Sequence, residues 1–302
     1  FLDFAYTDVN GEVFIHYGSG TGLNPIEGAT FTAKDNSYQT MRSMATGDYN
    51  GDGCDDIAVS APTLAGSGTA RGQVYIYFGR GTSCSSSAPV DGNVPDVTFE
   101  GGTNNDRLGR GEIYSVGDIN NDGKIDFAFS TDTKVLIAYG GNSGGSITAY
   151  TITGMKSLVG RRIGHGDFNN DGYSDLVVAD NDKINIYYGS ASGIIATPSI
   201  VVNNLSTVNY TYPPSYTNFA RAVSVESADM NNDGFSDLIT ASDRGLLIYQ
   251  THLDALSVMP SIFDPFISTI STNLKVLMLD YGIIYCDNAT DKGSCYILNY
   301  GE

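Results

Sequence analysis

Short apolar runs bounded by polar turns recur along this chain in pairs, and the pairs keep one order. The first members are Ile57-Ala-Val-Ser60, Phe127-Ala-Phe-Ser130, Leu176-Val-Val-Ala179 and Leu238-Ile-Thr-Ala241. A polar turn follows each, then a second run closing on an aromatic residue and a glycine: Val74-Tyr-Ile-Tyr-Phe-Gly79, Val135-Leu-Ile-Ala-Tyr-Gly140 and Ile184-Asn-Ile-Tyr-Tyr-Gly189. Leu246-Leu-Ile-Tyr-Gln250 is a degenerate fourth, and Val13-Phe-Ile-His-Tyr-Gly18 and Tyr296-Ile-Leu-Asn-Tyr-Gly301 are two further copies. Short aliphatic, β-branched and aromatic runs between turn residues predict strands. No stretch sustains the 3.6-residue apolar period of a helix. Equivalent positions lie about 50–60 residues apart, the size of one four-stranded propeller blade.

Each of the four first runs is entered from a loop of the form D-x-N-x-D-G-x-x-D. The copies are Asp48-Tyr-Asn50-Gly-Asp52-Gly-Cys54-Asp-Asp56, Asp118-Ile-Asn120-Asn-Asp122-Gly-Lys124-Ile-Asp126, Asp167-Phe-Asn169-Asn-Asp171-Gly-Tyr173-Ser-Asp175 and Asp229-Met-Asn231-Asn-Asp233-Gly-Phe235-Ser-Asp237. Oxygen side chains at positions 1, 3, 5 and 9, with the backbone carbonyls of Cys54, Lys124, Tyr173 and Phe235 at position 7, form a donor set for a hard cation such as Ca²⁺. The all-oxygen set argues against zinc or copper. Gly53, Gly123, Gly172 and Gly234 at position 6 are expected at positive φ, where the chain curls around an ion. Position 12, which holds a bidentate Glu in helix-flanked calcium loops, is here Val59, Phe129, Val178 and Thr240, so these loops lead into strands. One such loop alone reads equally as an Asx-rich turn; four in the same flanking context read as four structural calcium sites.

The unit of strand, acidic loop, apolar strand, turn and V-y-I-y-F-G resembles the FG-GAP repeat of integrin α-subunit β-propellers, and the resemblance covers nearly the whole chain. It implies an all-β fold, a β-propeller of four-stranded antiparallel blades, with residues 1–302 as a single FG-GAP domain. It also implies calcium loops joining neighbouring strands on one face, with ligands contacting loops on the opposite face. The same repeats occur in some lectins and other extracellular proteins, so the resemblance specifies fold more closely than function.

Two departures from the family pattern bear on completeness. Aligning Asp3-Phe-Ala-Tyr-Thr7 with Asp56-Ile-Ala-Val-Ser60 puts Phe1 at loop position 7, so the chain begins inside a repeat. The last repeat, about residues 274–301, has no acidic loop and carries two cysteines instead. Six blade-ending strands are visible against the family's seven blades, and the expectation is a piece of a seven-bladed ring within a larger protein. Two polar insertions, residues 81–95 and 200–218, interrupt the pattern. The second holds Tyr210, Tyr212 and Tyr216 beside Pro213 and Pro214, a group suited either to a protein or sugar contact or to packing on its own base.

Charge and cysteines refine this picture. The net charge is −18, and three aspartates in each loop account for 12 of the 34 acidic residues. Four bound Ca²⁺ would bring the net to about −10. No basic cluster favours nucleic acid or an anionic membrane surface. Cys286 and Cys295 flank an eight-residue polar turn, which suggests a hairpin staple and leaves Cys54 to pair with Cys84, one of three possible connectivities. Sequons at Asn204, Asn209 and Asn288 fall in predicted loops and agree with a secreted or cell-surface glycoprotein. There is no membrane-spanning apolar run.

Catalysis has no positive sign. His16, His165 and His252 lie in separate repeats, no nucleophile elbow or His-x-x-x-His pair occurs, and the aspartates are committed to the loops. Tyr75, Tyr77, Tyr187, Tyr249 and Tyr296 alternate along strands and are expected to pack between blades. The leading functional expectation is a non-enzymatic, calcium-stabilised extracellular module for cell adhesion or assembly, with a protein partner. The alternatives are a glycan-binding propeller and an accessory propeller of a larger secreted enzyme.

Overall fold

The computed structural model describes residues 4–7, 12–16, 18–23, 29–32, 43–63, 69–79, 94–131, 133–141, 144–147, 151–152, 163–179, 183–203, 224–230, 232–242, 245–252, 255–258, 275–279, 282–287 and 294–299. These residues form strands and turns only, with no helix among them and none long and apolar enough to cross a membrane. Most of both insertions, the tyrosines at 210, 212 and 216, Cys84 and the three sequons lie outside the described residues.

The predicted pairs of runs are the middle strands of antiparallel sheets. Sheet 2 orders Met44–Gly47, Asp56–Ala61, Gln73–Tyr77 and Val97–Gly101; sheet 3 orders Ile113–Ser115, Phe127–Ser130, Val135–Ala138 and Thr151–Ile152. Sheet 4 orders Ile163–Gly166, Asp175–Ala179, Lys183–Tyr187 and Ile200–Asn203; sheet 5 orders Ser224–Ala228, Asp237–Ser242, Gly245–His252 and Ala255–Val258. Sheet 1 has three strands, Phe4–Thr7, Glu12–His16 and Ala29–Thr32, and sheet 6 has three, Lys275–Leu279, Gly282–Asp287 and Ser294–Asn299.

One register runs through the repeats. Ile57 stands opposite Tyr77, Phe127 opposite Ala138, Leu176 opposite Tyr187 and Leu238 opposite Tyr249. Phe4 stands opposite His16 in the same way, which agrees with the alignment of residues 3–7 on residues 56–60. In sheet 6 only residues 280 and 281 separate the first two strands, too few for a nine-residue loop, and Cys286 is paired across the ladder with Cys295. Sheet 2 carries an addition that the repeat did not predict. Gly145–Ile147 pairs in parallel with Val97–Gly101. Gly144, at φ +90°, permits this approach, because a Cβ there would stand 2.5 Å from the Thr98 carbonyl oxygen.

The chain divides into two compact units, the first holding sheets 1–3 and the second sheets 4–6. Within each unit, alternation along a strand lets its two sides pack against different neighbours. In the first unit Tyr75 and Tyr77 pack with Val13, Ile15, Val59 and Ala61. From the opposite side of the same strand, Val74 and Ile76 join Phe99, Phe127, Phe129 and Leu136. In the second unit Ile184, Ile186 and Val177 pack with Val225, Leu238 and Tyr249. Each such buried aliphatic or aromatic side chain contributes about 1.5–3 kcal/mol relative to exposure. The expected packing role of Tyr75, Tyr77 and Tyr249 is thus observed, and Tyr187 is likewise buried.

Serine at the end of the first apolar run has a structural task. Ser60 accepts the Ser43 amide at 3.0 Å, and Ser130 accepts the Glu112 amide at 2.5 Å, each fixing the start of its sheet's first strand.

Candidate metal centre

All four acidic loops connect the first and second strands of their sheets, as the strand pattern requires. Asn231 alone among the predicted loop residues is outside the described chain.

Within each loop the position-1 carboxylate gathers the amides ahead of it. One Asp48 oxygen accepts the Asp52 amide at 3.0 Å and the other the Gly53 amide at 2.8 Å. Asp118 does the same at 3.0 and 2.7 Å, Asp167 at 3.1 and 2.9 Å, and Asp229 at 3.0 and 2.8 Å. The position-5 carboxylate then accepts the position-7 amide, at 2.9 Å in Asp52 and 3.0 Å in Asp122, Asp171 and Asp233.

Two residues per loop enter the left-handed region. Position 6 does so as predicted, with φ of +87°, +83°, +86° and +89° at Gly53, Gly123, Gly172 and Gly234. Position 4 does so as well, at Gly51, Asn121, Asn170 and Asn232. Sequence reasoning missed this second site, although its signal was present: position 4 is always Gly or Asn, the residues that tolerate that conformation.

The position-9 aspartate is a clasp. Asp56, Asp126, Asp175 and Asp237 are fully buried. One oxygen accepts the position-2 amide, from Tyr49 at 3.0 Å, Phe168 at 2.8 Å and Met230 at 3.0 Å. The other accepts an amide from the end of the third strand, from Gly79 at 2.8 Å, Gly140 at 2.7 Å and Gly189 at 2.9 Å. In sheet 5 the donor is Thr251, at 3.0 Å, one residue beyond the degenerate run ending at Gln250. The recurrent glycine has a steric reason too. A Cβ would lie 2.3 Å from the Asp55 carbonyl oxygen at Gly79 and 2.4 Å from that of Ser174 at Gly189.

Burial makes these carboxylates poor anions unless a cation is near. Desolvation pushes Asp56 and Asp175 up to about 7 and raises Asp237, against the pull of their amide hydrogen bonds. The donor chemistry therefore fits a hard cation: the donor positions of each loop supply three carboxylates and a side-chain amide, hydrogen-bonded oxygens keep a further lone pair, and burial disfavours the charge on the position-9 carboxylate unless a cation offsets it. The described carboxylates are nevertheless engaged by backbone amides and, in two loops, by an asparagine side chain. Asn50 and Asn169 donate their amides to Asp52 and Asp171, both at 2.9 Å. Among the described residues no three Asp, Glu, His or Cys side chains converge closely enough to hold a metal. His165 is mostly buried on its strand, and desolvation pushes its imidazole down to about 4, so it is neutral at physiological pH.

Comparison with known proteins agrees with this repeat. A model of the FG-GAP repeat matches residues 42–77, the first three strands of sheet 2 with their loop. A model of the FG-GAP-like repeat matches residues 167–240, from the loop of sheet 4 to the second strand of sheet 5. Phosphatidylinositol-glycan-specific phospholipase D of Mus musculus is 37% identical over 86 residues, covering 26% of this chain and 10% of that protein. The Rattus norvegicus protein of the same description is 36% identical over 88 residues, with the same coverage. The match thus spans about a tenth of the length of these relatives. Among solved structures, an Agrocybe aegerita lectin described as recognising non-reducing terminal N-acetylglucosamine superposes with TM-score 0.54 at 16% identity, over 99% of this chain and 73% of that one. Saccharomyces cerevisiae Sqt1 does so with TM-score 0.57 at 9% identity, over 99% and 69%. This chain carries FG-GAP repeats on an all-β propeller fold.

Proposed function

We propose that this chain is a calcium-stabilised extracellular interaction module, a single integrin-α-like propeller domain that binds a protein partner in cell adhesion or a cell-surface assembly. The observation that carries the calcium part is the fourfold loop, in which every copy combines a fully buried position-9 aspartate with aspartates at positions 1 and 5 and an asparagine at position 3, an all-oxygen donor set in sequence. In the first loop the ion would be held by Asp48, Asn50, Asp52, Asp56 and the Cys54 carbonyl, and in the other loops by the equivalent positions. Bound calcium would offset the desolvation of the buried carboxylates. The chain's own residues supply the turn, the two left-handed positions and the clasp to the third strand.

The extracellular part rests on FG-GAP repeats, which occur in extracellular proteins, together with cysteine and sequon placement. No cysteine is free among the described residues, and the ladder sets Cys286 opposite Cys295, in keeping with a hairpin disulfide and a Cys54–Cys84 bridge. Sugars on Asn204, Asn209 and Asn288 belong to the same reading.

A second reading has its own support. The matched relatives are phospholipases far longer than the matched segment, so the propeller also suits an accessory, non-catalytic module of a larger enzyme. Native mass spectrometry of the protein from its source, in calcium-containing buffer, separates these. The adhesion reading expects a stoichiometric complex with another protein, and covalent linkage to a catalytic domain expects a longer chain. A bare single chain retained on a glycan array would instead favour sugar binding.

A further inference from the structure

Position 8 of each loop lies between two proposed ligands, the position-7 carbonyl and the position-9 carboxylate. In the loops 118–126 and 229–237 this residue is bonded to the loop before it. The Ser236 amide donates to the Asp167 carbonyl at 2.7 Å, and the Ser236 hydroxyl accepts the Asp167 amide at 2.9 Å. Ser236 therefore grips both backbone groups of the position-1 aspartate of the loop 167–175. The space confirms how close this is: a Cβ at Gly166 would stand 2.8 Å from the Ser236 Cβ. Nearby, the Ser227 hydroxyl donates to the His165 carbonyl, so the approach to Asp167 is fixed from the same neighbouring sheet. The equivalent link in the other unit runs from the Ile125 amide to the Asp48 carbonyl at 2.9 Å, with the Ile125 side chain over Gly47.

We infer that Ser236 is a positioning residue that couples ion binding in the loop 229–237 to ion binding in the loop 167–175. This inference rests on the calcium reading above. The physical argument is short. Filling the loop 229–237 fixes the Phe235 carbonyl and the Asp237 carboxylate, and hence the residue between them. A fixed Ser236 holds the Asp167 backbone in the conformation that aims its carboxylate into the neighbouring loop. Ordering that is already complete need not be repeated when the second ion binds, and this is positive coupling. By reciprocity, filling the loop 167–175 strengthens binding to the loop 229–237 by the same factor.

Terbium titration of the full chain tests this, because Tyr173 at position 7 of the loop 167–175 can sensitise the lanthanide there. Loss of that signal in Tyr173→Phe assigns it. Asp233→Asn disables the neighbouring loop while keeping the Asp237 clasp, and is expected to weaken terbium binding at the loop 167–175 about five- to tenfold. In a Ser236→Ala background, which retains every proposed ligand, the same Asp233→Asn change is expected to have a clearly smaller effect. An Asp233→Asn chain that keeps the original midpoint overturns the coupling. An equal shift in both backgrounds removes Ser236 from it. If the unmodified chain binds no terbium and gains no stability from calcium, the calcium reading itself fails, an outcome distinct from ions that bind independently.

Discussion

The loop pairs of the two units share a backbone contact and differ in what the side chains add to it. In the first unit the Ile125 amide meets the Asp48 carbonyl, and the link is completed by apolar contact over Gly47. Lys124, one residue earlier, lies along the other loop, so that a Cβ at Gly51 would be 3.1 Å from its Cγ and 3.3 Å from its Cε. In the second unit Ser236 makes the same amide contact and adds a returning hydroxyl bond. The shared element is one that any residue except proline can supply. The variable element sets the consequences: a cation laid against one loop in the first unit, a two-point polar grip in the second. Repeats of this kind keep their geometry through the backbone and differentiate through position 7 and position 8.

The clasp that both units share should give the largest effect. Asp56→Ala leaves the amides of Tyr49, Asn50 and Gly79 without their common acceptor and is expected to cost about 3–5 kcal/mol. Asp175→Ala removes the acceptor of two, Phe168 and Gly189, and should cost less in a chemical denaturation series. Equal costs would mean that the clasp acts through charge alone.

Next come the strand-end residues that close the clasp. At Gly140 a Cβ would lie 2.4 Å from the Lys124 Cβ and 3.0 Å from the Tyr49 carbonyl oxygen, so Gly140→Ala is expected to cost about 1–3 kcal/mol. Thr251 already accommodates a side chain at the corresponding point of sheet 5, and Thr251→Gly should cost less than Gly140→Ala in thermal unfolding. The reverse order would show that the glycine is not selected by space.

A smaller effect separates the units electrically. Replacing Lys124 by Met should raise calcium affinity in the first unit about two- to fivefold at low salt, with the gain fading as salt screens the charge. Calorimetric titration at two ionic strengths reads this directly. An affinity that falls would mean that the lysine supports the loop it lies against.

The smallest effect is a metal-independent control in the first unit. Asp106 is desolvated, which by itself would raise its pKa, yet the Lys134 ammonium at 2.8 Å and the Thr103 hydrogen bonds hold it below the usual range. A depressed carboxylate stabilises the fold above its unfolded pKa and loses that contribution as pH falls through the folded one. Asp106→Asn should therefore cost about 1 kcal/mol at pH 7 and progressively less toward pH 3, with or without chelator. A cost that persists unchanged at low pH would place its cause in packing.

Much of this fold was legible in the sequence because a repeated apolar pattern and a repeated turn act on short range. The strand pairs, the loop limits and the position-6 glycines follow from neighbours a few residues apart. The features that were not legible depend on contacts across long separations. Asp56 meets Gly79 across 23 residues, Ser236 meets Asp167 across 69, and nothing local marks Thr251 as the stand-in for a glycine. The parallel strand Gly145–Ile147 depends on a neighbour more than 40 residues earlier and on a single glycine that admits it. Position 4 is the exception, a local signal present in all four loops and readable only once the turn was seen.

Differential scanning calorimetry of the full chain, with millimolar calcium against a chelator and with magnesium as the control cation, tests the central claim most directly. Occupied loops stabilise the folded state by mass action, about 2.7 kcal/mol per site at a hundredfold excess over the dissociation constant. The account predicts a melting temperature that rises by roughly 10 °C or more with calcium and far less with magnesium. Superimposable transitions in calcium and chelator would contradict it.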